Sequence, residues 1–230
     1  MLQDHVEKSA NSIVHPNVLS VPIKEIGEPM IDLKNQSIIL FGPSPEIPNN
    51  KDYTKIRKTV YEKLILAQKL LVNNLKFRIY EGYRSLNLQE KLFNDRYQLL
   101  KNTYPKWSHE QLFQETIKLI SPVINLDGSH NIPPHSTGGA IDIYLIDANG
   151  EAIDMGIHPK DWMKDIDGSL SQTDSSKISK TAQKNRSIMS NALQNAGFIN
   201  YVREYWHWSY GDRYWTLHSK NPFALYNTVK

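Results

Sequence analysis

Three short stretches of the chain carry residue types that packing alone would not choose: Glu81-Gly82-Tyr83-Arg84-Ser85, His135-Ser136-Thr137-Gly138-Gly139-Ala140-Ile141-Asp142 and Glu204-Tyr205-Trp206-His207. The chain has no cysteine, so a metal has only histidine and carboxylate to bind, and a thiol nucleophile is excluded. A catalytic zinc site takes three nitrogen or oxygen ligands from the protein and keeps a fourth position for water. His135, Asp142 and His207 supply such a set. The Gly-Gly pair after His135 allows a sharp turn into the stretch that holds Asp142, which brings both side chains to one point. Taken alone, His135 and Asp142 also fit a turn-stabilising histidine beside a satisfied, half-buried acid, and for the isolated pair that bland reading is the stronger. The second histidine, His207, changes the balance.

Glu204 is the candidate base: a carboxylate beside zinc-activated water can take its proton and pass it to the leaving amine. Arg84 is the candidate partner of a developing oxyanion, because a guanidinium does not deprotonate. Its own segment fits a surface or structural ion pair equally well. Glu204 and His207 are three apart, which shares a face on a helix but splits them across a regular strand, so a strand here must bend. Around them runs an aromatic stripe, Tyr205, Trp206, Trp208, Tyr210, Tyr214 and Trp215, suited to core packing. Burial among these rings makes a Glu and a His costly unless they serve a metal or a hydrogen-bond network.

The elements that must position these residues follow from periodicity. Residues 1–50 are rich in Pro and Asn with one strand-like run at 37–41, and they read as an extended decoration over a core that begins at residue 51. From 53 to 73, Ile56, Val60, Leu64, Ala67 and Leu71 fall on one helical face. Lys76–Glu81 alternates as a strand and ends at the turn-forming Gly82. Asn87 and Ser108 have the form of helix N-caps, giving helices over about 88–102 and 109–120. Ala140–Ile146 is the strongest strand, with Asp142 and Tyr144 on one face. Residues 157–180 are polar and long for a structureless connection, either a mobile lid or a disordered insert. A helix over 178–196 is closed by Gly197, and 198–208 and 213–217 read as strands joined by a turn at Tyr210-Gly211-Asp212. The sum is a single α+β domain, an antiparallel sheet covered by helices, spanning 51–230.

A chain of 230 residues can bury a sizeable core in one domain. With 27 Lys+Arg against 24 Asp+Glu, dispersed along the chain, the charge gives no basis for nucleic-acid or membrane-surface binding. The opening residues hold charges every few positions, and no run reaches the length of a signal-peptide core or a membrane span. The expected location is the cytoplasm.

At this point the residues resemble a known family, the zinc D-alanyl-D-alanine dipeptidases, within the wider group of D,D-peptidases and hedgehog-like zinc folds. The likeness spans residues 80–210. It rests on His135, Gly138, Ala140 and Asp142, followed far downstream by Glu204 and His207, and on Gly82-Tyr83-Arg84 and Asp154-Met155-Gly156, which favour the dipeptidase branch. The resemblance implies one zinc ion per chain on His135, Asp142 and His207, Glu204 as base, Arg84 as transition-state stabiliser and a small D-amino-acid dipeptide as substrate. It also points to Asp161 as a contact for the substrate's ammonium group and to Tyr83 as a substrate contact. Where the family has a serine two places before its first zinc histidine, this chain has Pro133, so a hydroxyl used near the substrate is replaced. The rival expectations are a D,D- or L,D-carboxypeptidase acting on cell-wall stem peptides and a zinc-holding binding module without turnover.

Overall fold

A computed structural model describes residues 12–43, 45 and 51–229; the expectations for residues 1–11, 44, 46–50 and 230 lie outside the described residues. The chain runs α1 (Pro16–Leu19), β1 (Met30–Asp32), β2 (Leu40–Phe41), β3 (Lys55–Arg57), α2 (Lys58–Lys69), β4 (Lys76–Glu81), α3 (Leu86–Thr103), α4 (His109–Thr116), β5 (Ala140–Ile146), α5 (Lys180–Asn195), β6 (Ile199–Asn200), β7 (His207–Ser209) and α6 (Arg213–Ser219). Five strands form the main sheet in the order β2-β4-β5-β7-β6, and β1 pairs with β3 apart from it. All pairs are antiparallel except β2 with β4. The expected α+β architecture stands, and among the described residues no helix is long and apolar enough to cross a membrane.

Strand β5 is buried along its whole length, so both faces of the sheet are covered. Its odd positions, Ile141, Ile143 and Leu145, join Phe77 and Ile79 of β4 in the main core with Val60 and Leu64 of α2 and Met189 and Leu193 of α5. Its even positions include Asp142, while Tyr144 and Ile146 pack with Tyr80 in a second cluster. Period-two alternation thus gives one strand an apolar face and a face able to carry chemistry.

Several boundaries differ from the sequence reading. Residues 30–41 are more than a decoration: Leu33 and Ile39 are fully buried in the main core, and Leu40 and Phe41 extend the sheet. The expected helix over 53–73 shortens to α2, because Ile56 lies on β3 and Arg57, extended at φ −62° and ψ 147°, donates its N–H to Gly138. The cap of α3 is Ser85, whose hydroxyl accepts from the Leu88 N–H, rather than Asn87. Ser108 does cap α4, in a reciprocal box with Gln111. The expected strand over 198–208 is broken into β6 and β7 by a turn at 201–206, and the expected strand over 213–217 is the helix α6. There Asp212 caps the first turn by accepting from the Trp215 N–H at 2.8 Å, and a good cap outweighs the strand preference of aromatic residues.

The segment 157–180 is an ordered, irregular cover rather than a mobile lid or disordered insert. It holds a short 3₁₀ helix, Pro159–Lys164, and two buried arginines pin its backbone. Arg96 of α3 donates to the carbonyls of Trp162, Met163, Asp165 and Ile166. Arg186 of α5 donates to those of Met155, Leu170, Gln172 and Thr173, and its guanidinium lies 4.0 Å from the centre of the Tyr205 ring. A planar five-donor group can gather carbonyls that have no strand partner, which lets a loop be buried without orphaned acceptors. Arg186→Met is expected to cost about 3 kcal/mol of stability in urea unfolding and to open 157–179 to limited proteolysis; unchanged stability and cleavage would refute the pinning role.

Candidate metal centre and catalytic pocket

The sheet register assembles the site. Strands β4 and β5 pair regularly from Lys76↔Ile146 to Ile79↔Ile143, and a one-residue irregularity then sets Glu81 opposite Asp142. Asp142 in turn pairs with His207 of β7. Glu81, Asp142 and His207 therefore form one row across three adjacent strands, on the face that β5 does not give to the main core. His135 arrives from a different element, the 3₁₀ turn Pro134–Thr137. Gly138 closes that turn at φ +72°, a left-handed conformation that favours glycine.

His135 Nε2, Asp142 Oδ1 and His207 Nδ1 form a nearly equilateral triangle with sides of 3.1, 3.2 and 3.3 Å. Bonds of about 2.0–2.1 Å to a tetrahedral ion such as zinc require ligand atoms about 3.3 Å apart, so the spacing fits. His135 Nδ1 donates to the Gly82 carbonyl at 2.7 Å, which leaves the Nε2 lone pair for the ion and fixes the ring. All three ligands are buried. The donor set and its support fit a divalent metal.

Electrostatics agree with this assembly. Burial acts to raise the Asp142 pKa, but the charges and hydrogen bonds of His135 and His207 prevail and hold it well below the usual carboxylate range. Burial lowers the His207 pKa, aided by His135 and opposed by Asp142, which favours the neutral, ligating imidazole. Glu204 sits in the turn before β7 with a carboxylate oxygen 3.8 Å from His207 Nδ1. Burial and then the Asp142 charge push its pKa well above the ordinary value, with Arg84 and Arg96 opposing. The bend that the three-residue spacing of Glu204 and His207 demanded is the 201–206 turn.

Arg84 is held, not free on a surface. Its guanidinium donates twice to Glu81 Oε2, once to Gln89 Oε1 at 3.0 Å, and lies 3.7 Å from Asp142 Oδ2. Gln89 passes the connection on by donating to the Ser121 carbonyl at 2.6 Å. The sequence reading named neither Glu81 nor Gln89 as a site residue. Only the three-residue spacing of Glu81 and Arg84 hinted at a pair, and Gln89 gave no signal because its role depends on how α3 packs.

The triad, Glu204 and Arg84 line one small cavity of about 40 Å³, walled further by apolar side chains including Ile120, Trp162 and Trp206. Two expected substrate contacts are not brought there. Tyr83 faces a separate cavity with Met30, Asp52 and Val229, turned away because its own N–H is tied to the Lys55 carbonyl. Asp161 is absent from the lining, and its carboxylate pairs with Lys164 at 2.6 Å.

An α+β sheet domain with a buried His-Asp-His triangle, a carboxylate beside it and a fixed guanidinium defines a metallopeptidase. The D-ala-D-ala dipeptidase family matches residues 54–224, and the chain belongs to that family. A D-alanyl-D-alanine dipeptidase of Synechocystis sp. (strain ATCC 27184 / PCC 6803 / Kazusa) is 25% identical over 222 residues, covering 86% of this chain and 87% of the relative. Among solved structures, the LdcB LD-carboxypeptidase is similar at 17% identity and a TM-score of 0.40, over 87% of this chain and 76% of its own. VanYB in complex with D-Alanine-D-Alanine is similar at 14% identity and a TM-score of 0.41, over 78% and 84%.

A bound divalent metal is expected to stabilise the fold by about 4 kcal/mol at a concentration a thousandfold above its Kd, seen as a rise in Tm that His207→Ala abolishes. Protons compete for the ligands, and a lowered His207 pKa places that competition below the ordinary histidine value of about 6.5. Metal retained after dialysis is therefore expected to be full at pH 7 and to fall as pH drops below about 6.5; loss already complete at neutral pH would contradict the site.

Proposed function

We propose that this chain uses one zinc ion to hydrolyse the peptide bond of D-Ala-D-Ala or a closely similar small dipeptide. The observation that carries the reading is the small cavity in which the ligand triangle, Glu204 and Arg84 meet. Its small volume, about 40 Å³, favours a very short peptide over a stem peptide, which needs a longer groove. The name borne by the Synechocystis relative supports the same substrate class.

Zinc held by His135, Asp142 and His207 would supply a Lewis acid for the scissile carbonyl and lower the pKa of the attacking water. Glu204 takes the proton of that water and returns it to the leaving nitrogen. Its place beside His207, with a carboxylate oxygen 3.8 Å from Nδ1, puts it within reach of a water at the ligand triangle. Arg84 offers fixed positive charge to the oxygen that becomes negative. Because Glu81 and Gln89 already hold its guanidinium, little reorganisation is needed as charge develops. The aromatic and aliphatic wall keeps bulk water away and strengthens both interactions.

The test is release of free D-alanine from D-Ala-D-Ala by the zinc-loaded protein. Glu204→Gln is expected to keep the metal and lose about 10²–10⁴-fold in kcat, and Arg84→Lys about 10²–10³-fold. Full activity in a Glu204→Gln protein that retains zinc would sink the mechanism, and no release by the zinc-loaded parent would sink the substrate assignment.

A further inference from the structure

One wall of the metal cavity comes from the opposite end of the chain. Ile13, more than a hundred residues before His135 in sequence and buried at 6% exposure, lines the cavity together with Glu204 and His207. It packs with Val18, Tyr201 and Tyr214. On the other side of the same strap lies an outer groove of about 540 Å³, lined by Ser12, Val14 and Leu19 and by the charged Glu115, Lys118 and Arg203. Ile117 lines both spaces. Ile13 and Ile117 thus stand between a small catalytic cavity and a much larger, mainly apolar groove that also carries charged side chains.

The strap is anchored. Tyr201, whose ring meets that of His207 edge-on at 5.9 Å and packs with Ile13, donates its hydroxyl to the Lys118 carbonyl at 3.2 Å. Tyr201 therefore touches both sides of the partition, its ring against Ile13 and its hydroxyl on the backbone next to Ile117. Further along, Arg213 donates to the Val21 carbonyl at 3.0 Å, the Lys24 N–H donates to the Ala224 carbonyl, and the Ala224 N–H donates to the Pro22 carbonyl. A β-branched side chain has few rotamers in which to swing aside, so Ile13 is a firm stop.

We propose that Ile13 is a specificity-determining residue that confines this enzyme to very short peptides by separating the metal cavity from the outer groove, with Tyr201 as the residue that positions it. This rests on the dipeptidase reading above. A shorter side chain at position 13 joins the two spaces, and the part of a longer peptide that the cavity rejects then extends into the groove.

The experiment compares zinc-loaded parent, Ile13→Ala, Ile13→Val and Tyr201→Phe proteins on D-Ala-D-Ala, Nα-acetyl-D-Ala-D-Ala and D-Ala-D-Ala-D-Ala, and measures the rate at which dipicolinate strips zinc from each. The expected result is a kcat/KM ratio of a longer peptide to the dipeptide raised at least tenfold in Ile13→Ala and Tyr201→Phe, raised less in Ile13→Val, with faster zinc loss in the same order. Unchanged ratios in all three variants overturn the proposal. Ile13→Val removes a single methylene and keeps the test valid should the larger truncation not fold. Should the parent cleave none of the three peptides, the dipeptidase reading fails by itself, and the zinc-stripping rates still decide the partition: faster loss supports it and equal rates overturn it.

Discussion

A carboxylate buried in the middle of a sheet has to be compensated, and much of this molecule is arranged around how Asp142 is. Its neighbours across the sheet are Glu81 and His207, so one strand row holds two acids and one imidazole. Two buried acids side by side would repel at high cost. Arg84 resolves this by reaching over from the loop after β4 to bind Glu81 and approach Asp142, while His135 completes the far side. The same arrangement that makes the charges tolerable leaves three ligand atoms at metal spacing, so the compensation of a buried charge and the construction of the site are one problem with one solution.

The covering segments obey a related constraint. Irregular backbone can be buried only if its carbonyls find donors. Arg96 and Arg186 provide those donors for the 157–180 segment, which then delivers Trp162 to the pocket wall. On the opposite flank, Arg213 donates to the Val21 carbonyl of the segment that carries Ile13, and the Tyr201 hydroxyl to the Lys118 carbonyl beside it. The cavity is therefore small because loops from both ends of the chain are fixed over it by buried polar groups that apolar packing would not have required.

The legibility of these features in the sequence followed the range of the interactions behind them. Strands β4 and β5 were read at their observed bounds, because alternation is a local consequence of strand geometry. Helix α6 defies local preference: its aromatic residues favour a strand and Asp212 fits a turn, yet Asp212 caps the first helical turn. Ile56 fitted a helical face by spacing yet sits on β3, where a backbone bond to Gly138, distant in sequence, holds the chain extended. The Ser85 cap was displaced by two residues in the reading because the helix start is set by the Arg84 N–H bonding to His135, a contact no window around residue 85 contains.

By itself the sequence determined the chemical inventory: no thiol, a histidine before a Gly-Gly turn, an acid in a strand, a Glu three residues before a second histidine, and an arginine after a glycine turn. These are properties of residue type and spacing, and they suffice to point to metal-assisted hydrolysis. Tertiary structure alone decided that a register irregularity aligns Glu81 with Asp142, that Arg84 is clamped by Glu81 and Gln89, that Tyr83 and Asp161 lie away from the cavity, and that Ile13 closes it. The physical reason is that strand register and loop placement are set by contacts between residues tens to hundreds of positions apart, whose energies leave no local periodicity to read.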